Sequence, residues 1–100
     1  MKSGLKIRWT DEATKNLESI ILFLESNWTS KELKRFFRML EKQLHLLTKF
    51  PEAYSVTIQK KGIRKCVFTK NVTIYYTVRE EQLVLLSLFD TRQLPSKVKL

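Results

Sequence analysis

The hydrophobic pattern changes period once, at Phe50-Pro51, and that change decides what the chain can fold into. Before it, apolar residues recur at helical spacing; after it, they alternate. Ala13, Leu17, Ile20, Ile21, Leu24 and Trp28 define the apolar face of a first helix. Thr10 is its N-cap, and Asp11 and Glu12 follow in the first turn, where negative charge suits the helix dipole. Asn27-Trp28 ends it. Thr29-Ser30-Lys31-Glu32 is a capping-box pattern and opens a second helix that runs to about Lys49. Its stripe is Leu33, Phe36, Phe37, Leu40, Leu44 and Leu47; Lys34, Arg35, Arg38, Glu41 and Lys42 take the other side. Proline pushes the preceding Phe50 out of helical geometry and closes the helix. The link between the helices is too short for anything but adjacent packing, which predicts an antiparallel helical hairpin.

The alternating segments are strands. Leu5 to Trp9 precedes the helices, with Leu5, Ile7 and Trp9 expected towards the core and Lys6 and Arg8 towards solvent. After Pro51 come Tyr54 to Gln59, Ile63 to Thr69, Val72 to Val78 and Leu83 to Phe89. Lys60-Lys61-Gly62, Lys70-Asn71 and Arg79 to Gln82 supply the turns. Val72, Ile74, Tyr76 and Val78 share one face; Thr73, Tyr75 and Thr77 share the other. Leu83 to Phe89 is almost wholly apolar, which suits a central strand. Tight turns imply antiparallel pairing. The expected fold is therefore α+β: an antiparallel sheet packed against an N-terminal helical hairpin, ordered β-α-α-β-β-β-β, as a single domain over residues 1–100.

The net charge of +9 favours anionic partners: nucleic acid, an acidic protein or an anionic membrane surface. No apolar run reaches the roughly 18 to 20 residues a membrane span needs; of the anionic partners, nucleic acid or an acidic protein is expected and a membrane is not. The opening Met-Lys-Ser-Gly-Leu-Lys-Ile-Arg has no signal-peptide pattern, and a cytoplasmic location is expected. Cys66 is the one cysteine and His45 the one histidine, on different elements; no metal site and no cofactor is expected.

The basic residues carry the functional candidates. From Lys60 to Lys70 there are five cations and no acid, which is either a solvated turn or a surface for an anionic partner. Arg64, Lys65 and Arg92 can bind phosphate, and Lys60 and Lys61 can hold nucleic acid by counterion release. Asp90, two residues before Arg92, can instead hold that guanidinium in a rim ion pair. Tyr75 and Tyr76 are mid-strand and read as structural. Cys66 reads as a small buried hydrophobe, although its spacing from Arg64 can place both on one face and lower its thiol pKa. Phe23, Met39 and Leu46 lie off the main apolar stripes; they form a groove if exposed and join the core if the stripes are broad.

The chain resembles the RelE/ParE superfamily of bacterial toxins, and more closely its ParE branch. The resemblance rests on Ile7-Arg8-Trp9-Thr10 with Ala13 and Leu17 behind it, the two helices, and Leu46-Leu47 to Pro51. It continues through Gly62-Ile63-Arg64-Lys65, Tyr75-Tyr76, and Phe89-Asp90-Thr91-Arg92-Gln93-Leu94-Pro95. It implies a type II toxin neutralised by a cognate antitoxin, an acidic segment that folds on binding, at a sheet edge or beside the helical hairpin at Phe23, Met39 and Leu46. RelE-like members cut messenger RNA on the ribosome; ParE-like members poison DNA gyrase. The nuclease pattern carries over in part. With the family tyrosine at Tyr76, Arg64 and Arg92 fall near basic positions of the nucleases, leaving them as the candidate catalytic residues. Cys66 and Thr73 stand where nucleases carry lysine and arginine, and Thr91 to Leu100 contains no Tyr, His or Glu. The expectation leans away from an enzyme. It is a growth-inhibiting toxin that binds a target such as gyrase through Lys60, Lys61, Arg64, Lys65, Arg92 and Gln93. The alternatives are a ribosome-dependent messenger-RNA endonuclease or a non-toxic, antitoxin-binding relic. The oligomeric state stays open.

Overall fold

The computed structural model describes residues 4–58 and 62–92. A first strand β1 (Lys6–Trp9) leads into α1 (Asp11–Asn27) and α2 (Ser30–Lys49). A short 3-10 turn, Pro51–Ala53, follows, and then β2 (Val56–Ile58), β3 (Ile63–Val67), β4 (Val72–Arg79) and β5 (Gln82–Asp90). The expected element order is the observed one. The 3-10 turn was not expected, and it shortens β2 at its start.

Both predicted caps form. The Thr10 hydroxyl accepts from the Ala13 N–H at 3.1 Å and donates to the Leu85 carbonyl at 2.8 Å, tying the start of α1 to β5. Such a cap contributes about 1 kcal/mol. At α2 the capping box closes reciprocally: Glu32 N–H donates to the Thr29 hydroxyl at 3.2 Å, and Thr29 N–H to Glu32 Oε1 at 3.0 Å. Lys70-Asn71 is a two-residue turn flanked by Thr69 and Val72, which exchange backbone hydrogen bonds. Glu80 and Glu81 both adopt left-handed φ, 48° and 63°, as a two-residue hairpin turn requires of its central pair.

The sheet order is β1-β5-β4-β3-β2. The last four strands pair antiparallel as expected, but β1 lies parallel to β5, with Ile7 opposite Leu83. The sheet is therefore mixed. Alternation dictates which side chains face inward but not strand direction, and a helical crossover, unlike a tight turn, permits parallel entry. As an edge strand, β1 leaves Ile7 exposed and Trp9 half-buried, so only part of its expected inward face is covered.

The helical hairpin covers one face of the sheet. Ile20 and Leu24 of α1 and Phe36, Leu40, Leu44 and Leu47 of α2 meet Ile74, Tyr76, Leu83, Leu85 and Leu88 there. Each such side chain contributes roughly 1.5–3 kcal/mol on burial. Phe37, expected in the α2 stripe, is exposed at its margin. A bulge between Tyr75 and Tyr76 shifts the β4–β5 register. Beside it, Leu88 N–H donates to Asn16 Oδ1 of α1 at 3.0 Å, a contact that hydrophobic periodicity does not anticipate.

Candidate functional site

β4 joins two corners that together hold the arginines picked out in the sequence. At its first end, Val72 stands opposite Asp90. The Asp90 side chain is fully buried and grips Arg92 twice, Oδ1 to Nε and Oδ2 to Nη2, each at 3.1 Å. The same Oδ1 accepts the Arg92 backbone N–H at 2.9 Å. The guanidinium then stacks on α1 and its cap, 5.4 Å from the Phe23 ring centre and 5.8 Å from that of Trp28. Trp28 packs edge-on against Phe36, and Phe36 against Phe68. Arg92 is thus a strut between sheet end and helical hairpin, with its charge matched by a buried carboxylate. Of the two readings of Arg92, the ion pair with Asp90 is the one the geometry realises.

At the other end of β4 the arrangement is open. Arg64 lies opposite Tyr76, on the helix-covered side. Its Nη1 donates to the Tyr54 carbonyl. The Tyr54 hydroxyl accepts from Gln43 Nε2 of α2 at 3.1 Å, so one residue connects α2 to Arg64. Pro51, Glu52, Gly62, Thr77, Val78 and Arg79 join Arg64 in lining a groove of about 400 Å³.

Tyr76 lies at the same end but is closed off. It is fully buried, and its hydroxyl donates to the Pro51 carbonyl at 2.6 Å. Burial pushes its phenol up to about 12, with Cys66 adding to the rise, Arg64 opposing it and Tyr54 adding again. Cys66 does share its face with Arg64, as a spacing of two requires. Yet burial raises its thiol pKa, and the Tyr54 hydrogen bond only partly opposes that. The lowered pKa considered from the sequence is not what this site produces, because desolvation outweighs the hydrogen bond.

The other candidates scatter. Lys65 faces the side of the sheet away from the helices, in register with Tyr75 and Ser87. Arg64 and Asp90, the residue that holds Arg92, are separated by four residues of β4 register, roughly 13 Å along the strand. The phosphate cluster of Arg64, Lys65 and Arg92 therefore does not assemble as one site. Lys60, Lys61 and Gln93 lie outside the described residues. Met39 and Leu46 are exposed on α2, 44% and 42%, and share a stripe with Phe50 at 61%. Phe23 is not part of that stripe: it is half-buried on α1 beneath Arg92. His45 is exposed on α2. The residue that sequence reasoning missed is Arg79. It was read only as part of a turn; three residues beyond Tyr76 on β4, it lines the same groove as Arg64. Among the described residues no three His, Cys, Asp or Glu side chains gather as metal ligands would, and no helix is long and apolar enough to cross a membrane.

Comparison with known proteins agrees with this architecture. The family model described as ParE toxin of the type II toxin–antitoxin system parDE matches residues 7–95. Among solved structures, a chromosomal ParDE toxin–antitoxin system from P. aeruginosa superposes with a TM-score of 0.72 at 12% identity, over 89% of this chain and 98% of that one. A copper-bound mutant toxin from Helicobacter pylori gives 0.52 at 19% identity, over 90% and 98%. A conserved hypothetical protein of the same organism gives 0.55 at 22% identity, over 88% and 96%. At these identities the structures speak for the fold alone. No curated protein sequence matches the chain significantly. The family match spans both helices, all of the described sheet except Lys6, and the Arg92 corner: the chain belongs to the ParE toxin family of type II toxin–antitoxin systems.

Proposed function

We propose that this ParE-family toxin arrests growth by holding a macromolecular target, with DNA gyrase the first candidate, and performs no bond-breaking chemistry of its own. The observation that carries the reading is the state of Tyr76. Cleavage of RNA by its own 2′-hydroxyl needs a group that takes a proton and one that returns it. The family tyrosine here is buried against the Pro51 carbonyl with its pKa pushed up to about 12, far from working range. Arg92, the other position shared with the nucleases, is already paired with Asp90. What is left at the rim is charge without a proton shuttle, which suits binding.

The antitoxin expected of a family member docks, on this reading, along α2. Met39, Leu46 and Phe50 recur at helical spacing over roughly 16 Å of helix. Arg35 and Lys42 flank them, and both are exposed. Met39 also lines a groove of about 280 Å³ with Trp28, Glu32, Arg35, Phe36 and Thr69. An apolar stripe edged by cations fits a segment that carries both apolar and acidic side chains and orders on binding.

The test is direct. Purified toxin is incubated with gyrase and plasmid, and supercoiling and trapped cleavage complexes are measured. Inhibition supports the reading. Unimpaired supercoiling together with new messenger-RNA ends in the ribosomal A site, by primer extension, replaces it with a nuclease. Absence of growth arrest on induction in cells would instead identify a non-toxic relic.

A further inference from the structure

Charge is segregated between the two helices of the hairpin. α1 carries four acids and one cation; α2 carries six cations and two acids. The six cations of α2, Lys31, Lys34, Arg35, Arg38, Lys42 and Lys49, are all exposed. Lys31, Lys34, Arg38, Lys42, His45 and Lys49 follow one another at steps of three or four residues, so they form one continuous row, with Arg35 along its edge. The row lies opposite Phe36, Leu40, Leu44 and Leu47, which are buried in the core. Neither acid interrupts it. Glu32 is taken up by the cap, where it accepts from Thr29 N–H at 3.0 Å, and Glu41 lines a groove on the β1 side with Leu5, Ile7 and Leu44. None of the six cations has an ion-pair partner among the described residues. From Lys31 to Lys49 the ridge is roughly 27 Å long, at the rise of an α-helix.

We propose that this outer ridge of α2 binds double-helical DNA through its phosphates. Charge comes first. A merely basic protein would carry its cations evenly, whereas here they are concentrated on one helix and the sign is reversed on its neighbour. Spacing comes second. One strand of B-DNA carries a phosphate about every 3.4 Å of axis, so roughly eight lie along the ridge, enough to meet every cation of the row. Shape comes third. The major groove of B-DNA is wide enough to admit an α-helix, and the narrow one of duplex RNA is not. Chemistry separates the other anions. The row holds no Phe, Tyr or Trp on which the bases of a single strand would stack. It holds no apolar anchor of the kind that centres a protein interface. A membrane surface would take up the apolar face of α2, and that face is already in the core. Arg35 and Lys42 border the stripe of Met39 and Leu46 and are shared with the proposed antitoxin contact, whereas Lys34 and Arg38 lie further round the helix and belong to the ridge alone. DNA binding by this ridge does not depend on gyrase being the toxin's target.

The experiment is fluorescence anisotropy of a labelled DNA duplex of about 20 base pairs with the full chain, across salt concentrations of about 50 to 300 mM. The logarithm of the affinity is expected to fall against the logarithm of salt with a slope of about −3 or steeper, as counterion release from three or more phosphates requires. Lys34→Ala combined with Arg38→Ala makes that slope shallower by about two and weakens binding at least about tenfold at the lowest salt, with the urea midpoint unchanged. A control pair removes the same charge elsewhere. Lys15→Ala on α1 combined with Lys70→Ala in the β3–β4 turn keeps the slope and holds affinity within about twofold. An equal loss in the control pair overturns the proposal, because the binding would then follow net charge and not the ridge. Absence of binding at the lowest salt also overturns it. So does tighter binding to a single-stranded oligonucleotide, a duplex RNA, polyglutamate or vesicles of anionic lipid than to the DNA duplex.

Discussion

The two ends of β4 use arginine in opposite ways. Arg92 is enclosed: a buried carboxylate takes two of its nitrogens, and Phe23 and Trp28 lie under its plane. Arg64 is tethered by one nitrogen to a carbonyl and shares an open groove with Arg79 and Glu52. The first arrangement satisfies the cation and leaves little for a ligand. The second orients the cation and leaves most of its donors available. The same residue type, prominent for the same reason in the sequence, is structural at one end and open to a ligand at the other. What separates them is whether a buried acid stands in register.

The largest effect should come from removing that acid. Asp90→Ala leaves the Arg92 guanidinium and backbone N–H without their acceptor, and a loss of about 3 kcal/mol in urea unfolding is expected. A loss below about 1 kcal/mol would mean that the corner is an ordinary surface pair. Arg92→Ala should cost about 2 kcal/mol by removing both the ion pair and the stacking. Arg92→Lys should recover little, because lysine has neither the fork nor the flat face; full recovery would reduce the corner to point charge.

A smaller effect concerns Tyr76, at the open end. Its phenol is raised from about 10 to about 12 in the folded chain. The unfolded chain therefore releases this proton first as pH rises. The contribution of Tyr76 to stability is complete below about pH 10 and declines as pH climbs towards about 12. Tyr76→Phe should cost about 1 kcal/mol at neutral pH for the lost hydrogen bond, and should flatten the alkaline decline. An unchanged slope above pH 10 would show that the phenol is not held neutral by burial. The smallest effect belongs to Arg79→Ala, which should alter stability by no more than about 0.5 kcal/mol.

Much of this could be read from the chain. Thr10 and Thr29 announced their helices because capping chemistry is local. The faces of β4 followed from alternation, and Asp90 two residues from Arg92 suggested its own pairing. The parallel entry of β1 could not be read, since a crossover through two helices leaves strand direction free. The aromatic bed of Arg92 needs Phe23 and Trp28 brought from α1 across the fold, and no spacing rule encodes that. The groove needs the β3–β4 pairing, which brings Arg64 opposite Tyr76 and so to the end of the sheet where Pro51 and Glu52 lie. Sequence reasoning therefore found both arginines of interest but gave them one shared task. Only the register shows that they stand at opposite ends of a strand, and that Lys65 faces away from both.

The contrast between the two ends is tested most directly by measuring two quantities on the same two variants. Arg92→Ala and Arg64→Ala are each assayed for urea midpoint and for inhibition of gyrase supercoiling. A crossed result is predicted: Arg92→Ala costs about 2 kcal/mol and leaves inhibition within about twofold, while Arg64→Ala costs no more than about 1 kcal/mol and loses about tenfold in inhibition. A parallel result, with both variants losing stability equally or both losing inhibition, would contradict the assignment of one arginine to the fold and the other end of β4 to recognition.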